Sequence, residues 1–126
     1  MERSFHSDWG ENEGEGMKDY IPFDKNAIPE RFEIDLAEES FFLEINYNEI
    51  GDFFTLDLFD ADEEPLVLGE KIRLGIPLWS DVPNPNLPAP TLIPLDQSGK
   101  EIRVTFDNFG ETVFVYIDDV GDEDEL

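Results

Sequence analysis

The 126-residue sequence contains no cysteine and a single histidine, His6. The absence of cysteine excludes a disulfide, a thiolate nucleophile and a Cys-type zinc site. One histidine near the N-terminus cannot form a histidine triad or a histidine metal cage. The sequence also lacks a Gly-rich phosphate loop, a nucleophile elbow and a basic patch. We therefore expect no enzymatic activity, no catalytic residues and no cofactor.

Basic residues are scarce as well: 8 Lys and Arg stand against 32 Asp and Glu, for a formal net charge of -24. A chain this acidic repels DNA and anionic membranes at long range, so we expect neither as a partner. A basic protein surface or a metal ion would be attracted to it. The alternative is that the charge only keeps the protein soluble, because runs of charge are usually solvated.

The acidic segment from Asp60 to Glu64 invites a calcium interpretation, because hard cations prefer several carboxylates from one loop. An EF-hand loop beginning at Asp60 would need Gly at position 65 and Glu at position 71. The sequence has Pro65 and Lys71 instead. A solvated hairpin turn is the favoured interpretation, and we assign no metal ligands.

No apolar run approaches the roughly 18–20 residues of a membrane-spanning helix. The first nine residues lack the basic start and apolar stretch of a secretory signal, so we expect synthesis and assembly in the cytoplasm. No segment has a convincing helical period. Period-two alternation instead predicts strands, with two shorter ones broken at Gly69 and Gly75; the predicted strands are 32–36, 41–47, 53–59, 66–68, 72–74, 102–106 and 113–117.

The pattern predicts an all-β fold, a small antiparallel barrel or sandwich of about seven or eight short strands. The length suits one domain. Residues 1–18 are too polar and Gly-rich to form a core, and we interpret them as an acidic, flexible arm. Residues 19–119 form the predicted domain, and residues 120–126 an acidic tail.

Several residues are candidate contacts for a partner. Phe5 and Trp9 are either exposed aromatics on the arm or anchors that dock into a neighbouring subunit. Trp79 is either a core-capping aromatic or an interface anchor, since Trp is frequent at binding hot spots. It precedes a stiff loop with four prolines in eight residues, which excludes a helix and a central strand; these are Pro83, Pro85, Pro88 and Pro90.

Phe114 and Tyr116 are the last candidates. They lie on the face of the predicted strand 113–117 where polar residues are expected. A strand with apolar residues on both faces is covered by something. Either the proline-rich loop or another subunit would cover the outer face of this strand.

The segment 53–72 carries the most specific motif. A strand ending in an aromatic and an aspartate (57–62) is followed by Pro65-Leu66-Val67-Leu68-Gly69 and then by 72–78, which reads IRLGIPL. This motif resembles that of the small β-structured plug proteins of phage tail baseplates, which are best described in cyanophages. The resemblance covers roughly residues 20–118 and includes the segment 43–48. It departs from the family at Glu63-Glu64, where a Gly is usual after the Asp.

The resemblance implies an architectural role in a virion or a phage-like tail particle, including tailocin-type bacteriocins. Such plugs lie near the tail axis, where the tube meets the baseplate hub and spike, and close or bridge that junction. The implied partners are hub, spike and tail-tube proteins. The implied assembly is a homo-oligomer on the tail axis, most simply a homotrimer.

Two other functional classes remain open from the sequence. An acidic protein can mimic DNA and block a nuclease or a DNA-binding protein, but the acids here concentrate in turns and tails. A carbohydrate-binding β-sandwich would use Trp79 and Tyr116, and would need aromatics on a flat, exposed face.

Overall fold

The computed structural model describes residues 4–5 and 19–118. In that part of the chain the secondary structure is almost entirely β, with one short 3-10 turn at Lys25–Ala27 and no α-helix. The strands are β1 (Ser4–Phe5), β2 (Asp19–Ile21), β3 (Glu30–Leu36), β4 (Glu39–Asn48), β5 (Phe53–Phe59), β6 (Pro65–Lys71), β7 (Thr91–Asp96) and β8 (Val113–Asp118).

The strands form two sheets of unequal width. The larger sheet has the order β1-β3-β4-β5-β6, and the smaller has the order β2-β8-β7. Strands β2 to β8 all pair antiparallel, and β1 adds a two-residue parallel pairing to β3. The sheets stack without closing into a barrel, so the predicted all-β fold is confirmed in its sandwich form.

One apolar core lies between the sheets. Strands β3, β4 and β5 each point alternate residues inward, and β8 contributes Val113, Val115 and Ile117 from the opposite sheet. This period-two burial is what a half-buried strand requires, since successive side chains point to opposite faces. The fully buried residues of the larger sheet include Phe32, Leu36, Leu43, Ile45, Phe54, Leu56 and Leu58.

The sequence correctly predicted the strands at 32–36, 41–47, 53–59 and 113–117, and the hairpin of β5 and β6. Two predictions were wrong. Residues 66–68 and 72–74 are not two short strands: β6 runs without a break from Pro65 to Lys71 and ends before 72–74. Gly69 lies inside β6 with a φ of 74°, and the ladder to β5 shifts register nearby. The glycine therefore marks a bulge and not a strand end.

Residues 102–106 are also not a strand. They belong to an irregular loop in which Ile102 is 90% exposed. Asn108 organises this loop from inside. Its Nδ2 donates to the Arg103 carbonyl and to Glu101 Oε1, both at 2.9 Å, and its Oδ1 accepts from the Thr105 N–H at 2.8 Å. These bonds use backbone groups that a sheet ladder would otherwise need.

The loop closes one side of the core. Phe109 packs on Phe54 at 4.5 Å between ring centroids, and Phe106 packs on Tyr47 at 5.1 Å. Lys25 Nζ donates to the Phe106 carbonyl at 2.6 Å, which ties the 3-10 turn to the same loop. The loop therefore covers the part of β4 and β5 that the narrower sheet leaves open.

We expect Asn108→Ala to lower the free energy of unfolding by about 2–3 kcal/mol, because it leaves buried loop groups without their partners. Asn108 is 8% exposed and is the one buried polar side chain among the described residues. Urea denaturation measures the change. Asn86→Ala, an exposed amide, is the control; equal stability of the two variants would contradict the role of Asn108.

The β3–β4 hairpin turns at Ala37 and Glu38, with φ of 55° and 70°. Two consecutive residues with positive φ are typical of a type I′ turn, whose twist matches that of the flanking strands in a two-residue hairpin. A type I′ turn favours Asn and Gly at these two positions. An L-residue with a side chain is strained in this region.

We therefore expect Glu38→Gly to stabilise the protein by about 1 kcal/mol, because glycine adopts positive φ without a steric penalty. Thermal unfolding should show a rise in Tm of roughly 4–8 °C. Glu64→Gly is the matched control, since it removes the same side chain and charge at an exposed residue outside the positive-φ set. An increase of Tm in the control equal to that of Glu38→Gly would show that charge, and not backbone strain, is responsible.

Candidate interaction surfaces

An aromatic cluster lies on the outer face of the smaller sheet. Tyr20 of β2 lies 4.5 Å from Phe114 and 6.1 Å from Tyr116 of β8, measured between ring centroids. Tyr20 is 40% exposed, Phe114 is half-buried and Tyr116 is buried. Phe114 and Tyr116 thus point away from the core side of β8. We call these three residues the aromatic face.

A cleft of about 170 Å³ adjoins this face, where the chain leaves β2. Its walls are mostly aromatic and aliphatic, so it suits an apolar side chain from a partner. The lining includes Tyr20, Pro22, Phe23, Phe109, Val113 and Phe114. Burial raises the pKa of Tyr116, helped by the nearby Tyr20 and Asp96. The Tyr116 hydroxyl is therefore neutral near pH 7.

The proline-rich loop offers less surface than the sequence suggested. Pro88 and Pro90 are buried, while Pro83 and Pro85 are exposed. Pro85 and Asn86 line a cleft beside Glu39 to Phe41 and Asp60 to Asp62, at the turns of the larger sheet. The tip of the loop therefore lies beside the larger sheet, whereas the aromatic face belongs to the smaller one.

Trp79 packs inside the core and is 6% exposed. Its φ is 47°, an unusual value for a bulky residue. Two contacts hold it there: its N–H donates to Glu70 Oε2 at 2.8 Å, and its carbonyl accepts from the Val82 N–H at 3.1 Å. This placement fits the core-capping interpretation, and its direct contact with a partner stays a prediction.

Two further large apolar side chains are highly exposed. Ile50, in the β4–β5 turn, is 98% exposed, and Ile102, in the 101–112 loop, is 90% exposed. Asp52 joins the two segments. It accepts from Arg103 Nη2 at 3.0 Å and from the Phe106 N–H at 2.9 Å. The segments that carry Ile50 and Ile102 are therefore held together by hydrogen bonds through Asp52.

Asp52 also accepts from the Tyr47 hydroxyl at 2.6 Å. The hydrogen bond from Tyr47, with the backbone bond from Phe106, lowers the pKa of Asp52. The same hydrogen bond raises the pKa of Tyr47 to about 12. The pair therefore holds its charge state, an ionised carboxylate and a neutral phenol, across the neutral range.

Asp96 shapes the start of the loop that carries Ile102. Its carboxylate accepts from the Ser98 hydroxyl and from the backbone N–H groups of Ser98, Lys100 and Glu101, at 2.7–2.9 Å. These hydrogen bonds, that of the Ser98 hydroxyl first, lower the pKa of Asp96 to about 2. A carboxylate that accepts several N–H bonds is stabilised in its charged form.

This pKa predicts an acid-dependent loss of stability. The Asp96 carboxyl binds a proton near its usual pKa of 3.8 when unfolded, but only near 2 when folded. Its contribution is therefore complete above about pH 4 and is lost as the pH falls towards 2. We expect the stability difference between wild type and Asp96→Asn to be largest above pH 4 and to shrink below it, measured by urea denaturation from pH 2 to 6.

Asp81→Asn removes the same charge at an exposed residue and serves as the control. Its stability difference from wild type should vary less over this range. A difference for Asp96→Asn that stays constant down to pH 2 would contradict the assigned pKa.

In the acidic turn at residues 60–64, a carboxylate accepts hydrogen bonds from backbone N–H groups of the turn itself. Asp60 Oδ1 accepts from the N–H groups of Asp62 and Glu64, each at 2.9 Å. Glu63 has a φ of 64°, so this residue occupies the position where a glycine would be unstrained. Within residues 4–5 and 19–118, no group of three or more potential ligands is arranged to hold a metal ion.

Of the arm candidates, only the backbone of Phe5 is described: it pairs with Ile34 of β3. Trp9 and residues 120–126 lie outside the described residues.

Sequence reasoning missed Tyr20, Ile50 and Ile102 as surface residues. Ile50 could have been identified, since it stands between Glu49 and Gly51 in the short gap between the predicted strands 41–47 and 53–59. Ile102 was hidden by its apparent alternation with Val104 and Phe106. No helix of the described residues is long and apolar enough to cross a bilayer.

Comparison with known families gives one assignment. Residues 18–121 match the family described as the cyanophage baseplate Pam3 plug gp18. The chain belongs to this baseplate plug family. The match covers nearly all of the sandwich, including the aromatic face and the 101–112 loop. No curated protein matches the chain.

The family assignment makes this protein a structural component of a phage baseplate and therefore of a virion tail. A plug acts through its contacts. The aromatic face and the exposed prolines are therefore candidate contact surfaces, and so are the separately exposed Ile50 and Ile102.

Proposed function

We propose that the protein plugs or bridges the junction between the tail tube and the hub or spike of a phage or phage-like tail, tailocins included. The family match over residues 18–121 is the observation that carries this proposal. In this proposal the plug has no chemistry of its own. It assembles in the bacterial cytoplasm as a homo-oligomer on the tail axis, most simply a trimer.

The direct test is deletion of the gene in the producing strain. The expected result is particles with a defective tube–hub junction that lose infectivity or killing activity. Complementation with the intact gene is the control. Particles without the protein that assemble and infect or kill normally would overturn the proposed function.

The aromatic face and the exposed Pro83 and Pro85 are our candidates for the apolar contacts with neighbouring subunits. Large aromatic side chains supply most of the energy at many interfaces. Stiff proline segments lose little conformational entropy on docking. Trp79 supports such contacts from the core by fixing the start of the loop. Phe5 and Trp9 remain candidates as anchors on the arm.

The charge sets a condition on the partners. Burying an unpaired carboxylate costs several kcal/mol. With 32 acidic residues, the protein must leave its carboxylates in water or place them against Lys and Arg. We therefore propose that hub, spike or tube surfaces that touch the acidic turns are basic.

We expect Tyr20→Ser to reduce incorporation into particles by about tenfold, the effect of losing roughly 1.4 kcal/mol of contact energy. Tyr20 is substantially exposed, so the isolated domain should stay folded. Quantitative mass spectrometry of purified particles measures incorporation, and circular dichroism checks folding.

Leu68→Ser is the matched control, since Leu68 is 63% exposed but lies on β6 of the other sheet. Phe114→Ser should behave like Tyr20→Ser. Normal incorporation of both aromatic variants would remove the aromatic face as a contact.

The two alternative classes gain no support from the structure. A sugar-binding platform needs coplanar rings, but the rings of the aromatic face are inclined to one another by 41°, 80° and 67°. Trp79, the other proposed sugar contact, is buried. For DNA mimicry, carboxylates such as Asp60 and Asp96 are engaged by backbone N–H groups and do not form a free row.

A further inference from the structure

We propose that copies of this protein join through a basic cleft on one copy that takes up the acidic turn, residues 60–64, of the next. The basic cleft is a cavity of about 210 Å³ between the end of β6 and the 101–112 loop. This inference rests on the proposed function for the existence of an oligomer. It names the two surfaces that join the copies.

The basic cleft is unusual in a chain with 32 acidic and 8 basic residues. Lys71, Arg73 and Arg103 line it, and none of its described lining residues is Asp or Glu. Phe53 and Ile102 supply apolar walls. The sequence shows no basic patch because folding brings these residues together from separate segments. Sites for small-molecule ligands usually exceed about 300 Å³, so this cavity is better suited to side chains of a protein partner.

Two of the three cations have no acidic partner among the described residues. Arg103 forms an ion pair with Asp52 at 3.0 Å. Lys71 Nζ instead lies 4.5 Å from the centroid of the Phe53 ring. The Arg73 side chain is exposed and makes no hydrogen bond or ion pair with the rest of the described chain. A carboxylate from a partner can therefore pair with Lys71 or Arg73 without displacing an existing ion pair.

The acidic turn is the counterpart that the described part of the chain offers. Four of its five residues are Asp or Glu. With Glu39 it lines a cleft of about 400 Å³, whose described lining includes no Lys or Arg. Asp60 is used by the turn itself, and Glu63 is already in an ion pair. The side chains of Asp62 and Glu39 are exposed and make no hydrogen bond or ion pair with another described residue.

The two surfaces lie at opposite ends of the larger sheet. Phe42 pairs with Phe59, directly before the acidic turn, whereas Lys71 pairs with Thr55 near the other end of β5. β6 runs over seven residues from Pro65 to Lys71, which is roughly 20 Å at the usual rise of a strand. The side chains of Lys71 and of the acidic turn are too far apart to meet within one chain. A contact between the two surfaces therefore joins two copies.

A contact between two different surfaces of the same protein is heterologous. Each copy then offers one basic cleft and one acidic turn, and the arrangement closes into a ring when the rotation between copies closes. A ring on the tail axis is the assembly in the proposed function, and every interface in it would be the same.

The net charge of -24 on each copy does not prevent this contact. Charges farther apart than the Debye length, about 8 Å at physiological ionic strength, are largely screened, so the charges at the contact itself decide the interaction. Complementary charges fix the orientation of two partners more than their affinity. Ile102, which is 90% exposed and lines the same cleft, adds apolar area to the contact.

Carbodiimide cross-linking tests the contact on the unaltered sequence, because the reagent joins a lysine amine to a carboxylate without a spacer. The samples are purified particles and concentrated purified protein. We expect dimers and higher species on a denaturing gel, in which peptide mass spectrometry finds Lys71 joined to Glu39 or to an acid of the acidic turn.

Multimers joined only at other residues, or no multimers in either sample, would overturn the proposal. Absence of the protein from particles would count against the proposed function alone, because the purified protein still reports on the contact between copies.

Charge reversal gives a second, independent measurement. We expect Arg73→Glu to weaken self-association about tenfold, the effect of roughly 1.4 kcal/mol, measured by light scattering and by the yield of cross-linked multimers. Adding Asp62→Lys or Glu39→Lys to the same chain should restore association. Lys100→Glu is the matched control, since it reverses an exposed basic residue outside the basic cleft. Equal association of Arg73→Glu and Lys100→Glu, with β-structure retained in both, would contradict the proposal.

Discussion

Two sheets of different width share one core, and the part of the wider sheet that the narrower one does not reach has to be covered by loops. The smaller sheet has three strands and faces a larger sheet of which four strands lie in a continuous meander. Strands alone leave part of β4 and β5 uncovered. Phe106 and Phe109 of the 101–112 loop fill this space against Tyr47 and Phe54. The stability of the sandwich therefore depends on a segment without regular structure, and on the buried amide of Asn108 that fixes its shape.

The carboxylates have a structural role that net charge alone does not reveal. Several of them accept hydrogen bonds from backbone N–H groups at turns and bulges: Asp24 from Asn26, Asp57 from Gly69, Asp60 from Glu64, Glu70 from Trp79 and Asp96 from Lys100. A fold of short strands has many turns, and each turn leaves N–H groups that the ladders do not pair. Aspartate suits these sites because its short side chain reaches the nearby backbone. Part of the acidic composition thus serves the fold itself.

The sequence predicted the sheets better than their surroundings, and the reason is physical. Alternation at Phe32 to Leu36 or Val113 to Ile117 reports which face is buried, and burial of one face is what a strand in a sandwich requires. Alternation at Ile102, Val104 and Phe106 has the same form, but it does not show whether a neighbouring strand exists to complete the ladder. In this segment, the hydrogen bonds of Asn108 and Asp96 to the backbone favour a loop over a strand. Exposed residues were harder still to predict from the sequence, since the exposure of Tyr20 and Ile102 depends on contacts with residues that are distant in sequence.

Asp96 and Asn108 hold the 97–107 segment mainly through its backbone N–H and carbonyl groups. The shape of this segment is therefore largely independent of the side chains at Gln97, Lys100 and Ile102, all of which are exposed. Such positions can accept new residues while the segment keeps its path. The surface chemistry of this segment can therefore change with little consequence for folding.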